Sequence, residues 1–365
     1  MQIAEITSFL ESLAHPSLQE SYDNAGLLTG SRSWDCTGII CSLDVTEEVI
    51  KEAIIKKCNL IVAHHPLIFK GLKRINGENY VERAVIAAIK NDIAIYAIHT
   101  NLDNVIDGVN GKIAELLGLQ NITILSPKSA TLKKLFTFVP VSNAPEVRQA
   151  IFEAGGGHIS NYSECSFNTE GTGTFKPGAG TDPYVGKQGE QHQEQEVKIE
   201  VIFSSFLEKK IIAAMIKSHP YEEVAYDVVP LSNSHPGIGA GVLGELPGPE
   251  GEKELFGRIK STFGLQIIRH SPFTGKPVKK VAVCGGAGSF LISSALAAGA
   301  DLYITADMKY HEFFDADNRM VIADIGHFES EQFTTDLLAE RLLQKFPTFA
   351  VLKTGVKTNP VNYFV

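Results

Sequence analysis

Residues Asn59–Gly71 read NLIVAHHPLIFKG. Leu60–Ala63 form a short apolar run of the kind that makes a strand buried on both faces, and two adjacent histidines follow before Pro66. In a regular strand neighbouring side chains point to opposite faces, so one imidazole would be driven into the core. At a strand's end, before a proline that biases its predecessor to extended geometry, both rings can turn toward one point. Open α/β sheets place ligands at that edge, outside the carboxyl ends of their strands. The pair therefore predicts a ligand site on an α/β fold, provided other strand ends supply partners.

The flanking sequence keeps the rhythm that reading needs. TGIICSLDV is β-rich, and TEEVIKEAIIKKC is helical with Thr46 as its cap; after NLIVAHH come helix NYVERAVIAAIKND, strand IAIYAIHTNLD and helix VNGKIAELLGL. Strands alternating with helices imply a mainly parallel sheet covered on both faces. The C-terminal part repeats the pattern, with VKKVAVCGGAGSF as strand and Gly-rich turn, LISSALAAG as helix and ADLYITADMKYHEFF as strand. The units IICSLDV…NLIVAHH and VAVCGGA…DLYITAD match in length. They read either as an internal duplication placing two strand ends across one cleft, or as the likeness any two βαβ units share.

The middle is different. From Lys133 to Leu231 the pattern is strand KLFTFVPV, helix APEVRQAIFEAG, a long Gly/Ser/Thr-rich loop, strand EVKIEVIFS, helix LEKKIIAAMIKS and strand EEVAYDVVPL, with SNSHPGIGAGVLGEL as a return linker. That order predicts a ferredoxin-like split unit carrying one oversized loop, which chain thermodynamics tolerates at a surface. The expected domains are 1–127 and 233–365 as the halves of one α/β domain, with 128–232 inserted between them.

At 365 residues two or three domains are expected, and 44% hydrophobic with 21% charged residues is ordinary for a globular protein. A net charge of −9 argues against nucleic acid as a partner, which would need a local basic patch. The N-terminal MQIAEITSFLESLAHPS is an amphipathic helix with Glu5 and Glu11, lacking the basic and apolar regions of a signal peptide. With no apolar run of about 18 residues, no membrane span is expected and the chain is expected to be cytoplasmic. Five cysteines without a CxxC pair exclude a disulfide scaffold and cysteine-ligated zinc; Cys58 and Cys284 read as small buried hydrophobes.

Two further stretches end unusually. IAIYAIHTNLDNV runs out of an apolar strand into His99 and Asp103, and in ADIGHFESEQFTTDLLAERLL His327 and Glu331 stand four apart at a helix start, on one helical face. Taken singly, each is an ordinary structural histidine or surface pair. Together His64, His65, Asp103, His327 and Glu331 offer three imidazoles and two carboxylates, a set suited to Zn, Fe, Mn or Co rather than to Ca or Mg. Five ligands exceed the three of an open single-zinc site, and a carboxylate shared by two metals uses them better. Asp23, Asn24, Asp44, Asp307 and Lys309 are polar groups at loop edges that orient substrate or cap turns. CGGAGSF lacks a nucleotide-binding glycine pattern; it either cradles an anion at a helix start or reverses the chain tightly.

The motifs DNAGLLTG, AHHPLIF, HTNLDN, ITADMKYHE and GHFESE, in this order, resemble those of the Nif-three-like family, whose members go by the name GTP cyclohydrolase I type 2 homologues. The likeness runs over 1–127 and 233–365. The middle segment, with HISNYSECSF, GTGTFKP and HPYEEVAYD, resembles the CutA/PII-like domain inserted in the long bacterial members. The resemblance implies a three-layer α/β metal-binding domain split by a ferredoxin-like insert, and two divalent transition-metal ions per chain (Zn, Fe or Mn). It implies His64, His65, Asp103, His327 and Glu331 as their ligands, Glu331 bridging, His65 and Asp103 serving one metal and His64 and His327 the other. It implies self-association as a homohexamer. His99 is expected to line the cleft as a hydrogen-bond donor behind the metal ligands or as an acid/base, or else to pack as a strand-end histidine. The function expected is metal-dependent hydrolysis of a nucleotide-like or heterocyclic small molecule. The alternative is a metal-binding, regulatory or sensing oligomer without turnover.

Overall fold

The computed structural model describes residues 1–364, which divide into two compact units, 1–126 with 237–364 and 127–236. Among the described residues no helix is long and apolar enough to cross a membrane. The first unit opens with β1 (Gly26–Thr29), β2 (Ile39–Ser42), β3 (Leu60–Ala63) and β4 (Ala94–Ala97), and β5 (Gln120–Pro127) leads out of it. The second unit contains β6 (Leu132–Pro140), β7 (Phe167–Phe175), β8 (His192–Ser204) and β9 (Tyr226–Pro230). The chain then returns through β10 (Gly239–Glu250), β11 (Arg269–His270), β12 (Val278–Ala287), β13 (Leu302–Ala306), β14 (Val321–Asp324) and β15 (Val351–Lys353).

The first unit is α/β, but its strands do not lie in the one mainly parallel sheet that their rhythm implies. It has two sheets, ordered β1-β4-β3-β2-β15 and β11-β14-β13-β12-β10-β5. Both edges of the first sheet are taken: β15 adds to β2 in parallel, and β1 covers β4 antiparallel. The second parallel set, β12-β13-β14, therefore cannot extend it and forms a sheet of its own. β2, β3, β4, β13 and β14 are buried along their whole length, as parallel strands covered on both faces are. Ile39, Cys41, Leu60 and Val62 enter one core together with Val281, Val283, Leu302 and Ile304 of the second sheet. Ile40, Ile61 and Ala63 face the opposite way, onto the helices Glu47–Ile55 and Tyr80–Lys90. All five cysteines are free; Cys58 and Cys284 are buried, and burial pushes the Cys41 thiol up to about 12.

Register decides where the functional side chains emerge. Ser42 pairs with Ala63 and Ala63 with Ala97, so β2, β3 and β4 end level. Asp44, His64, His65 and His99 leave the sheet at that common edge. In the second sheet Thr305 pairs with Asp324, and the chain runs on from there to Asp307 and His327. Thr46 caps the helix Glu47–Ile55, its hydroxyl accepting from the Val49 amide at 3.3 Å. Thr46→Ala is expected to cost about 1 kcal/mol, read as a shift of the urea midpoint at unchanged m-value.

The second unit is one antiparallel sheet, ordered β7-β8-β6-β9, with the helices Ala144–Glu153 and Glu208–Ser218 on its apolar core. One strand lies where a loop was expected. β7, FNTEGTGTF, pairs with β8 from Phe167 opposite Glu200 to Phe175 opposite His192. It is mostly exposed on both faces, so no apolar alternation marks it, and ladder hydrogen bonds hold it rather than burial. The stretch read as a return linker is likewise partly strand, since β10 starts at Gly239.

Candidate metal centre

Four imidazoles meet at the two strand-end edges of the first unit, and each is held at its Nδ1 by an oxygen. His64 Nδ1 donates to the Ile98 carbonyl at 2.9 Å, and His65 Nδ1 to Asp44 Oδ1 at 2.8 Å. His99 Nδ1 donates to Asp23 Oδ1 at 2.8 Å, and His327 Nδ1 to Asp307 Oδ2 at 2.7 Å. Committing Nδ1 as the donor fixes the tautomer and the ring plane and leaves Nε2 as the free lone pair, the arrangement of metal-ligating histidines. The aspartates come from the loop before β1, the end of β2 and the end of β13. All three are among the loop-edge polar groups of the sequence; their histidine partners are what the fold adds.

The free atoms fall into two triangles that share Glu331. His65 Nε2 and Glu331 Oε2 are 3.0 Å apart, His327 Nε2 and the same oxygen 3.2 Å, and the two nitrogens 3.3 Å. An ion about 2.0–2.1 Å from three tetrahedral ligands sets them about 3.3 Å apart, and these edges match that spacing. The other Glu331 oxygen, Oε1, faces His64 Nε2 at 3.8 Å, and Asp103 Oδ1 lies 3.6 Å from that nitrogen. His64 Nε2 and Asp103 Oδ1 are buried and meet no hydrogen-bond partner among the described residues. Orphaned buried polar atoms are costly, and two facing each other fit a cation between them. His64, His65 and His99 form a third group whose ligand atoms lie within 4.8 Å of one another.

This grouping differs from the pairing implied by the family resemblance. His65 sits with His327, and His64 with Asp103, each pair on its own oxygen of Glu331. The reason is the strand end itself: His64 is wholly buried beside β4 and Asp103, while His65, one residue on, turns outward toward the helix bearing His327.

Charge follows the same division. Burial alone would lower His65, but hydrogen bonds to Asp44 and Glu331 override it and hold the ring up at about 9. Burial is likewise overridden at His327, where Asp307 and Glu331 hold it up at about 11. Against the cost of burying its charge, Glu331 stays well below the carboxylate range because three imidazoles face it. Asp103 is pushed up, first by burial and then by Glu331. Divalent cations bound here would displace the Nε2 protons of His65 and His327 and take over their pairing with Glu331.

The Gly-rich stretch serves this centre. β12 runs on to Ala287, and Gly286, at φ +60°, passes so close to Glu331 that a Cβ there would stand 2.4 Å from Oε1. The Gly286 amide donates to Ser330 Oγ at 3.0 Å and the Gly285 amide to Asn110 Oδ1 at 2.8 Å. These glycines let two elements close on the Glu331 carboxylate; their amides are spent on protein partners, not on an anion. A cleft of about 400 Å³ opens above it, rimmed by Tyr22, Phe69 and Phe290, which are 63%, 46% and 66% exposed. Sequence reasoning missed these rings, since exposed aromatics in three separate loops carry no periodic signal. It also missed Thr358, whose hydroxyl donates to Asp44 Oδ2 at 2.7 Å. Asn24 instead ties loops together, its amide donating to the Ile68 carbonyl at 2.6 Å.

The model of the Duf34/NIF3 (NGG1p interacting factor 3) family matches residues 1–360. A Halalkalibacterium halodurans protein named GTP cyclohydrolase 1 type 2 homolog is 40% identical over 363 residues, covering 98% of both chains. A Bacillus subtilis protein of the same name is 40% identical over 326 residues, 89% of this chain and 87% of its own. The crystal structure of a Bacillus cereus protein related to NIF3 superposes with a TM-score of 0.87 at 40% identity, covering 100% of this chain and 99% of that one.

Proposed function

The chain belongs to the Duf34/NIF3 family, and from that premise we propose that it binds two divalent transition-metal ions and hydrolyses a nucleotide-like or heterocyclic small molecule. The observation that carries this reading is the pair of ligand triangles meeting on the two oxygens of Glu331. His65 and His327 would hold one ion and His64 and Asp103 the other, with Glu331 bridging. Zn, Fe or Mn fits this nitrogen-and-carboxylate set. Ions bound there would act as Lewis acids toward a substrate oxygen and would acidify water.

The chain's own residues do the rest. Asp44, Asp307 and the Ile98 carbonyl lock the imidazoles in the orientation that presents Nε2. His99, aimed by Asp23, stands beside His64 and His65 with ring centroids 5.2 and 5.3 Å away, where it can accept or return a proton. The exposed rings of Tyr22, Phe69 and Phe290 offer flat apolar faces to a planar heterocycle. We read 128–232 as an inserted CutA/PII-like domain, supported by its βαββαβ order and its separate apolar core.

The test is metal analysis of the purified chain, then turnover of GTP and a panel of purine nucleotides before chelation, after it, and after metal restoration. About two ions per chain with hydrolysis that chelation abolishes is the expected result. The same metal content with no hydrolysis would overturn the enzymatic reading in favour of a metal-binding or sensing role. Asp44→Ala frees His65 to rotate and should weaken one ion about 10–100-fold while sparing the other. Competition with a zinc chelator would separate the two affinities.

A further inference from the structure

The unit 127–236 contains a cavity of its own, about 650 Å³, between β7, the start of β8, the loop 176–190 and the segment 221–225. That size suits a small ligand. The loop is built rather than slack. The Gly189 amide donates to the Pro177 carbonyl at 2.9 Å, and Gln188 Nε2 to the Thr181 carbonyl at 2.6 Å. The Asp182 amide donates to both oxygens of Glu222, at 3.0 and 3.1 Å, pinning the loop to the facing segment.

At the floor lies Glu196, a carboxylate only 8% exposed. Its Oε1 accepts from the Tyr221 hydroxyl at 2.8 Å, and its Oε2 meets no donor among the described residues. Gly173 makes the room: a Cβ there would stand 2.1 Å from Oε2. Tyr221 is itself fixed, its amide donating to His219 Nδ1 at 3.1 Å while His219 Nε2 donates to the Phe138 carbonyl at 3.0 Å. Three rings surround the site, with Phe175 and Tyr184 centred 5.9 and 6.2 Å from Tyr221. Glu170, Glu196, Glu222 and Glu223 line the cavity against Lys176 and Lys198. Lys198 is already paired with Glu200 at 2.9 Å and stacked over Phe136.

We propose that this cavity binds a small organic cation, an alkylammonium group seated on Glu196 Oε2 and enclosed by Phe175, Tyr184 and Tyr221. A buried carboxylate with a free lone pair seeks a positive donor, and aromatic faces attract a cation within about 6 Å of their centroids. A bare metal ion is the poorer fit. It needs several donor atoms where Glu196 offers one, and the rings offer none. This proposal stands apart from the metal centre and from hydrolysis.

Isothermal titration of the full chain with choline and with spermidine, against sodium chloride at matched ionic strength, tests it. Saturable binding of at least one amine is expected. Glu196→Gln should weaken it about tenfold or more, and Tyr184→Leu, at an exposed loop position, severalfold. Circular dichroism melts and the metal content of both variants should match the parent, showing that fold and metal centre are intact. No saturable binding of either amine up to about 10 mM overturns the proposal. So does binding that weakens in only one variant or in neither, because carboxylate and rings would then not share a ligand.

Discussion

Glu331→Gln should purify with almost no transition metal where the proposed centre gives the parent chain about two ions. Glu331 is the one residue common to both ligand triangles, with Oε2 at 3.0 and 3.2 Å from His65 and His327 and Oε1 at 3.8 Å from His64. The amide keeps the shape of the side chain, so the core around this 3% exposed position stays filled. What it loses is the charge. It also turns an N–H₂ donor toward lone pairs that a cation requires, and neither triangle survives that change. Elemental analysis after reconstitution with zinc, iron and manganese in turn is the measurement. Parent-level metal in a folded Glu331→Gln chain would sink the bridging assignment.

Gly286→Ala is expected to reach the same end by a steric route. The added Cβ would stand 2.4 Å from Glu331 Oε1 and 3.3 Å from the His327 ring, so the carboxylate must leave its place. The φ of +60° adds a backbone cost of about 1–2 kcal/mol for any residue with a side chain. Metal affinity should fall about 100-fold, with a loss of several degrees in Tm. Gly264→Ala separates the two causes. It has a similar φ of +66° but nothing within 4 Å of the new Cβ, so it should show the backbone cost alone with metal content unchanged. Equal metal loss in both variants would mean that destabilisation, not displacement of Glu331, empties the site.

Much of this was legible in the sequence because it rests on local rules. Buried parallel strands announce themselves as apolar runs, and a polar pair at the end of one, like His64 and His65 after Leu60–Ala63, breaks the pattern where sheets bind ligands. His327 and Glu331 are four apart on a helix, a spacing set by helical geometry alone. What stayed hidden depends on contacts distant in sequence. The three aspartates behind His65, His99 and His327 look like turn residues until the fold puts an imidazole against each. The division of the first unit into two sheets turns on which strand fills an edge, and Val351–Lys353, the strand that does so beside β2, is three residues long. β7 escaped because an exposed strand of Thr and Gly is compositionally a loop.

The interleaving of early and late chain in the first unit bears on how the protein is made. His65 and Glu331 touch across 266 residues, and Thr358 steadies Asp44 across 314. A ribosome adding about 5–20 residues per second takes roughly 15–50 s to travel from His65 to Glu331. Through that interval the nascent chain holds two strand-end histidines without the carboxylate they later face, beside a first sheet still waiting for the strand that closes its β2 edge. On the proposed ligand set, metal loading would have to wait for Glu331, and a chain interrupted short of it would carry an unfinished centre.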